Sequence, residues 1–166
     1  MVPTPVGGEG FASWVDRVAF TLHAPPGLVA RALGLECREG ASSTRPVSFG
    51  VALTPASLGG LREATGLAPG RLRRMQLARY DGTAVDLTGL DLARETSLTA
   101  VAAREWMTPN SSRACPLCLA DGPVWPLWWR LGIAAVCPVH RCLLVERVLL
   151  AGCGCGGGVN GRLAGC

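Results

Sequence analysis

Cys115-Pro-Leu-Cys118 and, 18 residues further on, Cys137-Pro-Val-His140 are the two motifs that decide how the C-terminal part of this 166-residue chain folds. In each motif two residues separate the metal-binding side chains, a spacing typical of zinc ribbons and zinc knuckles. Three thiolates and one imidazole fill a tetrahedral shell and leave no position for a reactive water. We therefore predict a structural zinc site at Cys115, Cys118, Cys137 and His140. The alternative is a pair of disulfides or buried free thiols, which a reducing compartment disfavours.

Further cysteines follow this site at irregular spacings: Cys142, Cys153, Cys155 and Cys166. Four thiols could hold a second zinc ion, although ligands separated by one residue, as in Cys153-Gly-Cys155, are less usual than ligands separated by two. Cys142 could equally be a buried apolar residue, and Cys166 could lie on a frayed end. Both interpretations of these four cysteines stay open.

Composition sets limits on the class of protein. With 49% apolar and 17% charged residues, the chain can build a packed core, and its length allows one ordinary domain or two small ones. The N-terminus lacks the basic and apolar segments of a secretory signal, so we expect a cytoplasmic protein. The most apolar stretch, residues 124–136, is shorter than the roughly 20 residues that span a bilayer, and no membrane segment is expected.

The N-terminal part has helical periodicity. Apolar residues recur at intervals of three and four, which predicts one stripe of an amphipathic helix that begins near Glu9: Phe11, Trp14, Val15, Val18 and Leu22. The prolines at 25 and 26 should end this helix. A second short helix is predicted over residues 28–33, with Gly34 as its left-handed C-cap.

Residues 54–75 predict a helix, a tight turn at Gly66 and a second helix. Another helix is predicted over residues 96–106, and residues 109–113 form a natural boundary before the cysteines. The chain is therefore expected to be mainly α, with a helical domain containing a helix-turn-helix at residues 1–108. A small zinc-ribbon or zinc-knuckle domain should follow at residues 109–166.

Arginines are concentrated around the second helix of the predicted pair. All 16 basic residues of the chain are arginines, and residues 62–79 contain five of them with one glutamate. Four could contact phosphates and guanine edges, or a protein partner: Arg71, Arg73, Arg74 and Arg79. The alternative is a solvated basic face with no ligand.

Motifs of enzymatic catalysis are missing from the sequence. A zinc deaminase needs a His-x-Glu motif, but His23 is followed by Ala24-Pro25 and His140 by Arg141-Cys142. Metalloprotease, serine-hydrolase and phosphate-loop motifs do not occur either. We expect a binding protein rather than an enzyme.

Two blocks of the chain resemble the TniQ family of transposition proteins. Residues 9–19, Glu-Gly-Phe-Ala-Ser-Trp-Val-Asp-Arg-Val-Ala, look like the family's opening Glu-Ser-x-x-Ser-Trp-x-x-Arg-x-Ala helix, with Gly10 in place of serine. Residues 113–119, 129–131 and 137–144 are similar to its zinc-finger signature. Cys153-Gly-Cys155 departs from the Cys-x-x-Cys with which a second knuckle often ends in the family.

The resemblance implies a helix-turn-helix region, one or two zinc knuckles and a non-enzymatic adaptor role in transposon target selection. The implied partners are target DNA, an AAA+ ATPase transposition regulator and, in CRISPR-associated transposons, an RNA-guided effector complex. The alternative hypothesis is a transcription regulator with a zinc ribbon and a helix-turn-helix, which would use the same arginines on an operator. A third hypothesis, from the class of enzymes, is a zinc-dependent enzyme that acts on nucleic acid.

Overall fold

A computed structural model of the chain describes residues 2–37, 50–108 and 112–147. Most of its elements are helical, as predicted. In chain order they are α1 (Phe11–Leu22), α2 (Pro26–Ala32), α3 (Pro55–Thr65), α4 (Pro69–Arg74), a 3₁₀ helix (Leu77–Tyr80), α5 (Glu95–Arg104), β1 (Ser112–Ala114), α6 (Pro116–Asp121), a 3₁₀ helix (Leu127–Arg130) and β2 (Val145–Arg147). Strands β1 and β2 pair antiparallel, with Arg113 opposite Glu146. Within the described ranges, no helix has both the length and the apolar character needed to cross a bilayer.

Helix α1 follows its predicted stripe, with one exception. Its larger apolar side chains are buried from Phe11 to Val18, and the helix ends at Leu22, followed by the C-cap His23 with a left-handed φ of 51°. Pro26 then begins α2, where a proline is tolerated because the first helical N–H needs no partner. Leu22, predicted on the buried stripe, is half exposed, because the last turn of α1 extends beyond the core.

Helices α3 and α4 lie where the sequence predicts two helices and a tight turn. The hydroxyl of Thr54 caps α3 by accepting a hydrogen bond from the N–H of Ser57 at 3.2 Å. Gly66 ends α3 with a left-handed φ of 68°, and α4 begins at Pro69. That the pair acts as a DNA-binding helix-turn-helix stays a prediction.

Two apolar clusters form the interior of the described structure. The first contains residues from α1 to Met75, with Trp14 and Leu61 fully buried. The second runs from Val51 through α5 to Leu144 and includes Cys115, Cys137 and Trp129. This second cluster draws residues from both sides of the predicted boundary at 108/109, and the boundary itself stays a prediction.

A pair of glycines lets two backbones touch where α2 ends. Gly34 has a left-handed φ of 72°, and a Cβ built on it would lie 2.7 Å from the Cα of Gly60 in α3. A Cβ on Gly60 would in turn lie 2.7 Å from the carbonyl oxygen of Gly34. Any larger residue at either position would push α3 away from α2.

The N-terminal segment docks on the loop between the two zinc-binding motifs. The N–H of Gly10 donates to the carbonyl oxygen of Trp125 at 2.9 Å. The N–H of Leu127 donates to the carbonyl oxygen of Gly8, also at 2.9 Å. The N–H of Trp125 also donates to the hydroxyl of Ser13 at 3.0 Å. Direct backbone pairing thus joins the start of α1 to the loop between the two cysteine motifs.

Candidate metal centre

The side chains of Cys115, Cys118, Cys137 and His140 converge on one point, and their ligand atoms all lie within 4.8 Å of one another. The Sγ atoms of Cys118 and Cys137 are 3.6 Å apart, and Nδ1 of His140 lies 3.2 Å from the first and 3.7 Å from the second. Nδ1 is also 3.5 Å from Sγ of Cys115. The cluster is compact and contains nitrogen and sulfur donors only.

These distances are close to those of a zinc shell. Zinc binds sulfur at about 2.3 Å and imidazole nitrogen at about 2.0 to 2.1 Å, so tetrahedral angles place two sulfurs about 3.8 Å apart and a sulfur and a nitrogen about 3.6 Å apart. The observed separations of 3.2 to 3.7 Å lie within about 0.4 Å of these values. A three-cysteine, one-histidine donor set is an ordinary structural zinc site, and the four residues fit one zinc ion.

Local turns hold the first pair of ligands in place. Cys115 directly follows β1 and forms the N-cap of α6, where its sulfur accepts a hydrogen bond from the N–H of Cys118 at 3.4 Å. Pro116 occupies the first position of α6, where its missing N–H costs nothing. The two cysteines are therefore presented by a single helical turn.

The second pair lies in a tight knuckle. The N–H of His140 donates to Sγ of Cys137 at 3.4 Å, and the N–H of Cys137 donates to the carbonyl oxygen of Cys142 at 2.8 Å. The turn is completed by Arg141, which has a left-handed φ of 51°. A non-glycine residue in this region is strained. The free energy of metal binding would offset this strain.

The orientation of His140 identifies its ligand atom. Nδ1 faces the three thiols, while Nε2 lies 3.3 Å from Oδ2 of Asp121, the last residue of α6. A carboxylate beside the outer nitrogen is the arrangement that orients metal-binding histidines. Sequence analysis missed Asp121, although it lies three residues after Cys118 on the same helix, a spacing that places both on one face.

The thiols perturb one another in a way that suits a metal site. Removal from water raises the pKa of Cys115, but the N–H of Cys118 and the neighbouring thiols lower it more, and the net result is a pKa of about 7. Removal from water and the adjacent cysteines raise the pKa of Cys118 to about 12. Three thiolates at these distances repel one another, and a bound cation would offset that repulsion, because opposite charge favours the ionised form.

The proposed second site is only partly within the described residues. Sγ of Cys142 lies 3.5 Å from Sγ of Cys115, directly beside the first cluster. The other three cysteines of that site, Cys153, Cys155 and Cys166, lie outside the described residues. The second site therefore stays a prediction.

The tryptophans between the two motifs are packed together beside the centre. Trp129 is fully buried, and the rings of Trp125 and Trp128 meet it edge-on, at 5.7 and 6.1 Å between centroids. The indole N–H of Trp125 donates to the hydroxyl of Ser112 at 2.6 Å. These rings form part of the core around the two cysteine motifs and are not an open stacking surface.

The opening motif of residues 9–19 forms one polar network. Glu9 is buried, and its carboxylate accepts hydrogen bonds from the hydroxyl of Ser13 at 2.9 Å and from Nε and Nη2 of Arg17 at 2.8 and 3.0 Å. The indole N–H of Trp14 donates to the carbonyl oxygen of Pro3 at 2.8 Å. A Cβ at Gly10 would lie 3.4 Å from its nearest neighbours, so the serine usual in the family would fit with small adjustments.

The four arginines singled out in the sequence are all exposed. Arg71, Arg73 and Arg74 lie on α4, and Arg79 lies at the end of the following 3₁₀ helix. The guanidinium of Arg79 stands over the ring of Tyr80 at 5.2 Å from its centroid. Their side chains do not form one patch: Arg73, Arg74 and Arg79 line the same cleft, and Arg71 does not.

Comparison with known proteins identifies the family. The sequence profile described as TniQ matches residues 1–144, which include both the opening motif and the four residues of the metal centre. No curated protein shows a significant match, and no solved structure does. Because the profile covers most of the 166 residues, the chain belongs to the TniQ family of transposition accessory proteins.

Proposed function

We propose that this protein is a non-enzymatic adaptor in DNA transposition, which connects recognition of the target to an AAA+ ATPase transposition regulator. The observation that carries the proposal is the family match over residues 1–144. The target would be recognised through DNA directly or through an RNA-guided CRISPR effector complex.

The geometry of the metal centre supports a structural role for zinc. Four protein donors lie within 4.8 Å of one another and could together fill a tetrahedral shell, whereas a catalytic zinc needs a position left open for water or substrate. Zinc would therefore stabilise the fold around β1, α6 and the knuckle. Binding of partners would be left to other surfaces.

Charge supports a role for α4 and its surroundings in binding nucleic acid or an acidic partner. Residues 62–79 carry a net charge of +4, from five arginines and one glutamate. The four arginines at 71, 73, 74 and 79 are exposed. Contacts between arginine and phosphate should make such binding weaken steeply with salt, because each neutralised phosphate releases counterions.

The test has two arms with the full chain and bound zinc. In the first, the tagged protein is used to capture the AAA+ ATPase encoded in the same transposon, with and without the effector complex. In the second, binding to duplex DNA is titrated at low and at physiological salt. We expect capture of the ATPase, and salt-sensitive DNA binding that is weakened by replacing Arg73 and Arg74 with alanine.

The outcomes separate the hypotheses. Tight binding to one duplex sequence without ATPase capture would contradict the adaptor role and favour a transcription regulator. Cobalt exchange tests the structural role of the metal: a four-ligand spectrum that does not change with added anions supports it. A labile additional ligand would favour a zinc enzyme instead.

A further inference from the structure

A cleft of about 500 Å³ lies between α3, α4 and the segment that precedes α3. Arginines surround it on several sides, and its floor is largely apolar. The residues that matter for its chemistry are Arg62, Arg73, Arg74, Arg79 and Gln76. Four positive charges around one cleft call for an anionic occupant.

The side-chain amide of Gln76, one of the residues that line the cleft, is buried and unpaired among the described residues. Its side chain is 2% exposed, and neither the amide nitrogen nor the amide oxygen has a hydrogen-bond partner within the described structure. The large majority of buried polar side-chain groups in proteins have a hydrogen-bond partner, and an unpaired one calls for an explanation. A ligand that reaches the amide would supply the missing donor and acceptor together, once the long arginine side chains at the rim shift.

The shape of the site excludes a regular duplex as the occupant of the cleft. Bases in a duplex are paired and stacked, so they cannot enter a cavity without leaving the stack. α4 is also only six residues long, and its arginines lie in its last turn, whereas recognition helices contact bases with their N-terminal residues. Phosphates of a duplex could still contact the rim, but would leave the cleft and Gln76 empty.

An unpaired base fits both features. The edge of a base presents donors and acceptors side by side, and glutamine can bind such an edge through both amide atoms. The apolar floor would accept the ring, and guanidinium planes stack on exposed bases. An acidic peptide would satisfy the arginines, but an apolar side chain in the cleft would leave the amide of Gln76 unpaired.

We propose that this cleft binds an unpaired base of single-stranded nucleic acid, with Gln76 bonding the edge of the base and with Arg73, Arg74 and Arg79 pairing adjacent phosphates. The proposal makes the nucleic-acid contact of the proposed function more specific and rests on it only for its biological setting. The binding itself requires no other protein.

The test is fluorescence anisotropy with labelled short homopolymers of DNA and RNA, a matched duplex and an acidic leucine-containing peptide, all with the full zinc-loaded chain. We expect single strands to bind more tightly than the duplex, with a preference among the bases. Gln76→Leu should weaken binding of the preferred homopolymer about tenfold and abolish the preference. It should not lower the melting temperature, because it removes an unpaired buried amide.

Two arginines of the same helix provide the matched control. Arg73 lines the cleft and Arg71 does not, although both are exposed on α4. Arg73→Ala should reduce affinity for the single strand several-fold more than Arg71→Ala. Equal effects would mean a diffuse basic face and would overturn the proposal.

Other outcomes are equally decisive. The proposal is wrong if the duplex binds as tightly as the single strands, or if Gln76→Leu keeps the affinity and the base preference. It is also wrong if only the acidic peptide binds and Gln76→Leu weakens it, since the cleft would then accept a protein segment. Base-dependent binding without ATPase capture would support this proposal and contradict only the adaptor role.

Discussion

The carboxylate of Asp121 lies 3.3 Å from Nε2 of His140, on the side of the imidazole that faces away from the three thiols. This contact selects the tautomer in which Nδ1 is free to bind a metal. It joins the end of α6 to the second knuckle, so the two halves of the candidate metal centre are in direct contact.

Asp121→Ala should weaken zinc binding without abolishing it. Loss of a carboxylate behind a ligating histidine typically costs about 10- to 100-fold in metal affinity. Because the side chain of Asp121 is 74% exposed, we expect the lower end of that range. Competition with a chromophoric chelator measures the change, and Asp121→Asn, which keeps an oxygen acceptor, should lose less. Equal affinity in all three proteins would contradict an orienting role.

Cys137→Ser should remove the metal and destabilise the C-terminal part. Cys137 is buried in the second apolar cluster, and a structural zinc contributes directly to folding free energy. Hydrogen exchange should show lost protection at β1, α6 and the knuckle, with a smaller loss in α1, whose core is the other cluster.

Two cysteines outside the metal-binding four serve as controls for this variant. Cys37→Ser and Cys142→Ser should both keep one zinc at the Cys115, Cys118, Cys137 and His140 site, because among the described residues it is these four whose ligand atoms all lie within 4.8 Å of one another. Measurement of bound metal by a colorimetric assay decides this. Loss of that zinc from Cys142→Ser would show that the ligand set is assigned wrongly.

Glu9→Ala should destabilise the fold by about 2 to 3 kcal/mol, measured by urea unfolding. The carboxylate of Glu9 is fully buried and accepts hydrogen bonds from Ser13 and Arg17. The guanidinium of Arg17 is 24% exposed, so it can partly regain water, which keeps the loss below that of a fully buried pair. Glu63→Ala, at an exposed position of α3, should change stability by less than about 0.5 kcal/mol.

Gly60→Ala and Gly59→Ala should have opposite effects on stability, although the two residues are neighbours in α3. A methyl group at Gly60 would meet the backbone of Gly34, whereas a methyl group at Gly59 would meet nothing within 4 Å. We expect Gly60→Ala to destabilise by about 1 to 3 kcal/mol and Gly59→Ala to stabilise by about 0.5 to 1 kcal/mol. Thermal melts of both variants check this, and stabilisation by Gly60→Ala would rule out the close backbone contact.

The helices, the turn and the cysteine motifs that depend on short stretches of sequence could be predicted. The intervals in α1, the glycine between α3 and α4, and the two-residue spacing of the metal-binding motifs each depend on neighbours within a few positions. The family resemblance followed from the same short motifs and is confirmed by the match over residues 1–144. Leu22 was placed wrongly because periodicity gives the face of a helix but not where its core ends.

By itself, the sequence determined the four candidate ligands, the main helices and the family, because the chemistry of each lies in a few residues close together in the chain. Only the tertiary structure decided the contact between Asp121 and His140 and the docking of Gly10 on Trp125. It also decided that the amide of Gln76 is buried, and unpaired among the described residues, beneath a cleft lined by arginines. Such relationships join residues that are distant in sequence, and they are set by how the packed elements bring backbone and side chains together.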